Sequence, residues 1–346
     1  SKDVTIPLTI TGTASIDTDY STAFSSISTK PSQFSETIEN VDNQDIYVDS
    51  NENFYFAERS NNRVTKWAPG ATEGVIVAGG NGQGSALNQI YTIGGFTVNS
   101  SGDVFVIDRS LRRVMKWALG ATVGIIVAGG NDSGYELNQL NSPSGVYEDS
   151  SNNVYVSDIN QNRVNKWGPG ATEGVIVAGG NGEGSALNQV KPSNLAVDDS
   201  ENFYLSDASN NRIMKWSPGA TEGVVVAGGN GFGNALNQFS SSDVDVDSFG
   251  NIFIADYSNE RVMKWVPGAS KGIVVAGGNG EGSSLNQLNK AGHFHYEESK
   301  GILYINDFGN KRIVKVQITP SIIIRAGATT GTITFTGIDD ITDEAG

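Results

Sequence analysis

The chain has no cysteine in its 346 residues. That excludes disulfides, thiolate metal ligands and thiol nucleophiles, but it does not exclude an extracellular home. Histidine is almost as scarce, with His293 and His295 the only two. Catalysis or metal binding through imidazole would therefore have to come from one short stretch. Basic charge is in deficit: 23 Lys and Arg against 38 Asp and Glu give a formal net charge of −15. A nucleic-acid surface needs clustered cations, so that partner class is excluded. No apolar run approaches the 18 residues of a membrane-crossing helix, which gives no sign of membrane insertion. Glycine, by contrast, is abundant at 43, and Val, Ile, Tyr and Phe are frequent, as suits strands joined by tight turns. The start at Ser1 and the close at Asp343-Glu344-Ala345-Gly346 read as the borders of a piece of a longer secreted chain.

Trp67, Trp117, Trp167, Trp216 and Trp265 mark a unit that returns every 49 or 50 residues. A sixth, worn copy (KRIVKVQI, from Lys311) puts Val316 where the tryptophan would be. The third unit resolves into four short runs: Gly145 to Asp149, Val154 to Asp158, Arg163 to Trp167 and Gly174 to Ala178. Each is β-branched or aromatic and bounded by Gly, Pro, Asn or Ser, and no helical periodicity is present. Four consecutive antiparallel strands per unit make the blade of a β-propeller. Segments beginning at Arg63, Arg113, Arg163, Arg212, Arg261 and Arg312 count six blades, yet only five VAGG-type fourth strands follow. Subtracting one period from Val75 to Gly79 lands within Phe24 to Thr29, which predicts that this segment completes blade six from the N-terminal side. The predicted organisation is all-β: residues 22–318 a six-bladed propeller, flanked by 1–21 and 319–346.

The recurring VD..GN.YV.D..NNR[VI].KW pattern, as in Val197 to Asp207 and Val246 to Asp256, resembles the NHL repeat, and Asp45 to Ile318 fit six copies. Propellers of that type include peptide-amidating lyases, RNA-binding domains and extracellular sensor or adhesion modules, so the resemblance implies a fold and leaves activity open. The flanks are similar to another family. DVTIPLTITGTASIDTDY (Asp3 to Tyr20) resembles the first half of a Calx-beta domain, and PSIIIRAGATTGTITFTGIDDITDE (Pro320 to Glu344) resembles its next strands. About 300 residues separate two parts that run on directly in that family. The resemblance implies a propeller inserted in a partial β-sandwich, as in large repetitive bacterial cell-surface adhesins, including those of gliding bacteria. It also implies calcium at one sandwich end, through Asp17, Asp19, Asp339, Asp340, Asp343 and Glu344, because calcium favours clustered carboxylates.

Within the repeat, most constant residues are expected to be frame. The pairs Asp158–Arg163, Asp207–Arg212, Asp256–Arg261 and Asp307–Arg312, with Glu58–Arg63 as a variant, should pin the turn between strands two and three. The tryptophans are expected to cover the outer part of their own blades. The GGNGxG stretches (Gly179 to Gly184, Gly228 to Gly233) precede no helix and read as blade-to-blade crossings with glycines for positive φ, not as phosphate cradles. His293 and His295 at i, i+2 point the same way from one strand. Local packing or surface exposure is their expected role, with a metal-dependent lyase or hydrolase in the channel as the alternative. Function is expected where the copies differ. After the recurring acid the six blades carry Arg59, Arg109, Ile159, Ala208, Tyr257 and Phe308, and the crossing loops add Phe232. Arg59, Arg109, Ile159, Tyr257, Phe308 and Phe232 are the candidate ligand-binding residues, since exposed aromatics and arginines anchor interfaces. The predicted function is a non-catalytic binding and display module of a secreted adhesin at the bacterial cell surface. Its expected partners are a polysaccharide or protein and the neighbouring sandwich repeats of the same chain. A purely structural spacer is the remaining alternative.

Overall fold

Alternation decides how the repeat folds. In the second strand of each blade every residue is buried, because successive side chains enter opposite faces and both faces are covered. Of the blade-one pair Phe54 and Phe56, both pack toward blade six, while Tyr55 and Ala57 pack toward blade two. A computed structural model describes residues 4–9, 33–36, 43–284, 286–318 and 330–335. Within it lie six four-stranded antiparallel sheets. Blade one is Asn43–Val48, Phe54–Glu58, Arg63–Trp67 and Val75–Gly79. Blades two to five repeat this order, ending at Gly129, Gly179, Gly228 and Gly277. Six apolar clusters occupy the interfaces, one between each pair of neighbouring blades, the last joining Phe54 and Phe56 to Tyr304 and Ile313. The protein is a six-bladed β-propeller whose core is divided among the interfaces between its blades.

Blade six consists of His293–Glu297, Ile302–Asp307 and Arg312–Gln317, and its outer strand does come from the N-terminal side. The strand is Gln33–Glu36, with Gln33 opposite Val316 and Glu36 opposite Ile313. The expected segment, 24–29, lies outside the described residues, and the strand that fills the place stands further along the chain. The reason is the length of the crossing. Outer and inner strands of consecutive blades are separated by 13 residues (80–92) at the first regular crossing, but by only six (37–42) here. Subtracting a whole period therefore overshoots by about the difference.

Two compact units are present, 33–318 and the two flanks together. In the flanks, Val4–Thr9 pairs antiparallel with Thr330–Phe335, from Val4 opposite Phe335 to Thr9 opposite Thr330. The two ends of the sequence thus share one ladder. Asp17, Asp19, Asp339, Asp340, Asp343 and Glu344 lie outside the described residues, as do the other expected sandwich strands.

The acid–arginine pair does more than pin a turn. In blade four Asp207 accepts from Arg212 Nε at 2.8 Å, Asn210 Nδ2 at 2.9 Å and the Lys191 backbone N–H at 3.1 Å. Arg212 in turn donates to the carbonyls of Ser185, Ala186 and Gln189 in the incoming crossing. Each buried pair thereby fastens one blade to the loop arriving from the previous one. Blades five and six repeat the arrangement. Blade three departs from the expectation. Among the described residues Arg163 Nε finds no hydrogen-bond partner, so the Asp158–Arg163 pair is not formed. Gln161 stands where blades one, four, five and six carry Asn, and its longer side chain reaches past Asp158 to the carbonyls of Gly134 and Gln139.

The tryptophans are packing residues, but they seal interfaces instead of covering their own blades. Trp117 belongs to the cluster shared with blade one, Trp167 to that shared with blade two. Each ring lies on a glycine: a Cβ at Gly124 would stand 2.8 Å from Trp117 Cε2. The crossing glycines take positive φ as expected, 72° at Gly179 and 84° at Gly180.

Candidate functional site

The first strand of every blade runs along the propeller axis. One apolar residue in each, Ile46, Phe96, Val146, Leu195, Val244 or Phe294, lies opposite its partner in the second strand and faces an interface. Period two then turns its neighbours on either side toward the axis. One ring of these is Asp45, Gly95, Gly145, Asn194, Asp243 and His293; the next is Tyr47, Thr97, Tyr147, Ala196, Asp245 and His295. All twelve line a cavity of about 550 Å³.

These rings are lopsided. In the first, polar groups occupy blades four, five, six and one, and glycines occupy blades two and three. The glycines serve close approach: a Cβ at Gly95 would lie 2.9 Å from the Ser144 carbonyl, and at Gly145 2.7 Å from Asn194 Oδ1. On the polar side Asn194 Nδ2 donates to Asp243 Oδ1, and Asp243 Oδ2 accepts the Phe294 backbone N–H at 3.2 Å. Asp45 Oδ2 likewise accepts the Phe96 N–H at 3.3 Å. Between the two carboxylates sits His293, its Nδ1 3.5 Å from Asp243 and 3.8 Å from Asp45. Burial disfavours charge on this imidazole, but Asp243 and Asp45 outweigh it and hold its pKa above the ordinary value. Asp45 is itself raised, by burial first, with His293 opposing.

His295 lies in the second ring and has a different environment. Its ring packs on Tyr47 with centroids 4.6 Å apart, and burial pushes its pKa down to about 4. Asp245, half-buried and accepting the N–H groups of Val246 and Tyr296, is pushed up by desolvation to about 7. The two histidines therefore point into one channel, as the i, i+2 spacing implies, but among the described residues only His293 lies within ion-pair distance of carboxylates. Among the described residues no group of three or more His, Asp or Glu is placed to hold a metal ion.

Of the six candidate binding residues, Arg59, Arg109 and Ile159 line the cavity mouth. Arg59 Nη2 donates to the Gly94 carbonyl at 3.3 Å, and Arg109 Nε lies 3.3 Å from the point where a Gly94 Cβ would stand. The two guanidinium groups converge on one glycine from neighbouring blades. Tyr257 and Phe232 are exposed, Phe308 is half-buried, and none of the three is among the cavity-lining residues. The rings themselves escaped the sequence reading, which sought exceptions in loops only. Their signal is plain once the first strands are aligned: NQDIYV, IGGFTV, PSGVYE, PSNLAV, SSDVDV and AGHFHY keep one apolar position, the fourth, and vary on both sides of it.

No protein-family model matches the chain, and neither does any curated protein sequence. Solved structures do. A protein of unknown function from Bacteroides thetaiotaomicron is 17% identical, covering 83% of this chain and 76% of its own, with a TM-score of 0.63. A gluconolactonase from Xanthomonas campestris is 11% identical over 92% of this chain and 98% of its own, TM-score 0.61. A virginiamycin B lyase from Staphylococcus aureus is 11% identical over 84% and 100%, TM-score 0.54. The likeness is one of fold. Identities this low carry the propeller architecture and nothing of the chemistry.

Proposed function

We propose that this propeller is a non-catalytic binding and display module of a large secreted bacterial cell-surface adhesin, and that its recognition site is the channel mouth. The observation that carries the reading is the contrast between frame and axis. The interface residues repeat from blade to blade, whereas the axis-facing residues differ and gather Asn194, Asp243, His293, Asp45, Arg59 and Arg109 around one cavity. Variation in otherwise repeated units belongs where partners are selected. The adhesin context rests on the Calx-beta resemblance of the flanks and agrees with their shared ladder. Calcium on the flanking carboxylates and neighbouring sandwich repeats as structural partners belong to the same reading. A broad array of glycans, polysaccharides and proteins, probed with the full chain and with Asp243→Asn, tests it. Binding that falls in the variant supports the channel mouth; no binding to any member overturns the module.

A second reading, a lyase or hydrolase in the channel, has one specific support: His293 is an imidazole held between two carboxylates, a group suited to moving a proton. The propeller relatives include a gluconolactonase and a lyase. Turnover of an array ligand, abolished in His293→Gln, is the outcome that would favour it.

A further inference from the structure

We propose that Arg59 and Arg109, converging over Gly94, form a carboxylate subsite, and that the channel mouth takes an acidic sugar residue of a polysaccharide. This deepens the binding-module reading and rests on it. Three features of the site lead here. First, the chain is strongly acidic, yet two arginines from adjacent blades meet at the cavity mouth: Arg59 Nη2 bonds the Gly94 carbonyl, and Arg109 Nε stands 3.3 Å from the Gly94 Cβ position. Among the described residues no carboxylate lies within ion-pair distance of Arg109, which is exposed. Burial lowers the Arg59 pKa, the nearby Asp45 opposes that, and the like charge of Arg109 adds to the lowering. An anion seated on both would relieve that repulsion and match the planar fork of guanidinium to carboxylate.

Second, the cavity also offers hydrogen-bond acceptors. Asp243 of blade five, fixed by the Phe294 N–H, presents carboxylate oxygens across the axis from blade two, while Asp45, fixed by the Phe96 N–H, stands beside Arg59. Carboxylates accept from hydroxyl groups and repel other acids. One negative charge at one end and hydroxyls at the other is the chemistry of a uronic-type sugar. A peptide bearing several acids does not fit this cavity. Third, a cavity of about 550 Å³ lies within the range of small-ligand sites and admits a sugar unit of a chain end.

The test is isothermal titration of the full chain with a uronic-acid oligosaccharide, the same oligosaccharide reduced at its carboxyl groups, a sulfated oligosaccharide, and a short peptide with a free C-terminal carboxylate. Arg109→Gln is the variant of choice, because Arg109 is exposed; its thermal unfolding midpoint checks that the fold is kept. The acidic oligosaccharide is expected to bind, with affinity falling as salt rises, and the reduced one to bind at least roughly tenfold more weakly. Arg109→Gln should lower the acidic affinity roughly tenfold to a hundredfold, leave the weak binding of the reduced form unchanged, and Arg109→Lys should recover part of the loss. Equal affinity for acidic and reduced forms, or no effect of Arg109→Gln, overturns the subsite while leaving a binding module in place. Preference for the sulfated sugar or the peptide also overturns it. Absence of binding to all four, together with a blank array, overturns the module as well.

Discussion

Blade three lacks the Asp–Arg bond that fastens its neighbours, and a single methylene group accounts for it. In blade four the Asn210 amide bonds both Asp207 Oδ2 at 2.9 Å and the Gly184 carbonyl at 3.0 Å. Arg212 Nη2 then takes the Gln189 carbonyl at 3.1 Å. In blade three the longer Gln161 amide takes the Gln139 carbonyl itself, at 3.2 Å, and leaves Arg163 Nε buried without a partner. Gln161→Asn should let the amide drop back to Asp158 and Gly134, return the Gln139 carbonyl to Arg163, and close the Asp158–Arg163 pair. The net gain is one charge-assisted hydrogen bond in a buried setting, about 1.5–3 kcal/mol. Urea unfolding of the full chain measures it as a rise in the midpoint without a change in slope. A double-mutant cycle adds the decisive comparison, because Arg163→Met should cost more in the Gln161→Asn background than in the wild type. An unchanged midpoint with zero coupling between positions 161 and 163 would refute this explanation of blade three.

Other consequences follow from the same frame. Asp207→Ala should destabilise the chain by about 3–5 kcal/mol, since Arg212 stays buried with carbonyl partners but no counter-charge; chemical denaturation reads the loss, and a cost below about 1 kcal/mol contradicts it. Gly124→Ala drives a methyl against Trp117 at 2.8 Å and should cost about 1–3 kcal/mol, visible as a lower melting temperature. The channel also sets a pH dependence. Asp245, pushed up to about 7, contributes stability that is fully present below the ordinary carboxylate pKa of 3.8 and is lost as pH rises toward 7. His295, pushed down to about 4, contributes stability present above 6.5 and lost as pH falls toward 4. The two oppose each other between about pH 4 and 6.5. In that window Asp245→Asn should show a melting temperature that climbs more steeply with pH than the wild type, and His295→Gln one that climbs less or falls; parallel curves for all three are the contrary result.

The frame was legible because each blade repeats the same physical task. Trp117, Gly124 and the Val175–Gly179 run recur because every interface must be filled alike, so one unit read well described the others. The closing strand was legible in kind but not in place: period arithmetic assumes a constant crossing, and the crossing before Asn43 is short. Asp158–Arg163 misled because recurrence of two residue types hid the third, Gln161, that decides whether they meet. The site was legible only in part. Arg59, Arg109 and Ile159 were found as exceptions in a loop, whereas Asp45, Asn194, Asp243 and Asp245 lie inside strands, where alternation with Ile46, Leu195 and Val244 made them look like ordinary polar faces. Only closure of the ring turns six separate faces into one cavity.

The most direct test is a crystal structure of the chain with its strongest array ligand. The ligand is predicted in the channel mouth, its charged group on Arg59 and Arg109 and its hydroxyls toward Asp243. A ligand seated instead on the exposed surface around Phe232 and Tyr257, with the channel mouth empty, would contradict the placement of recognition at the axis.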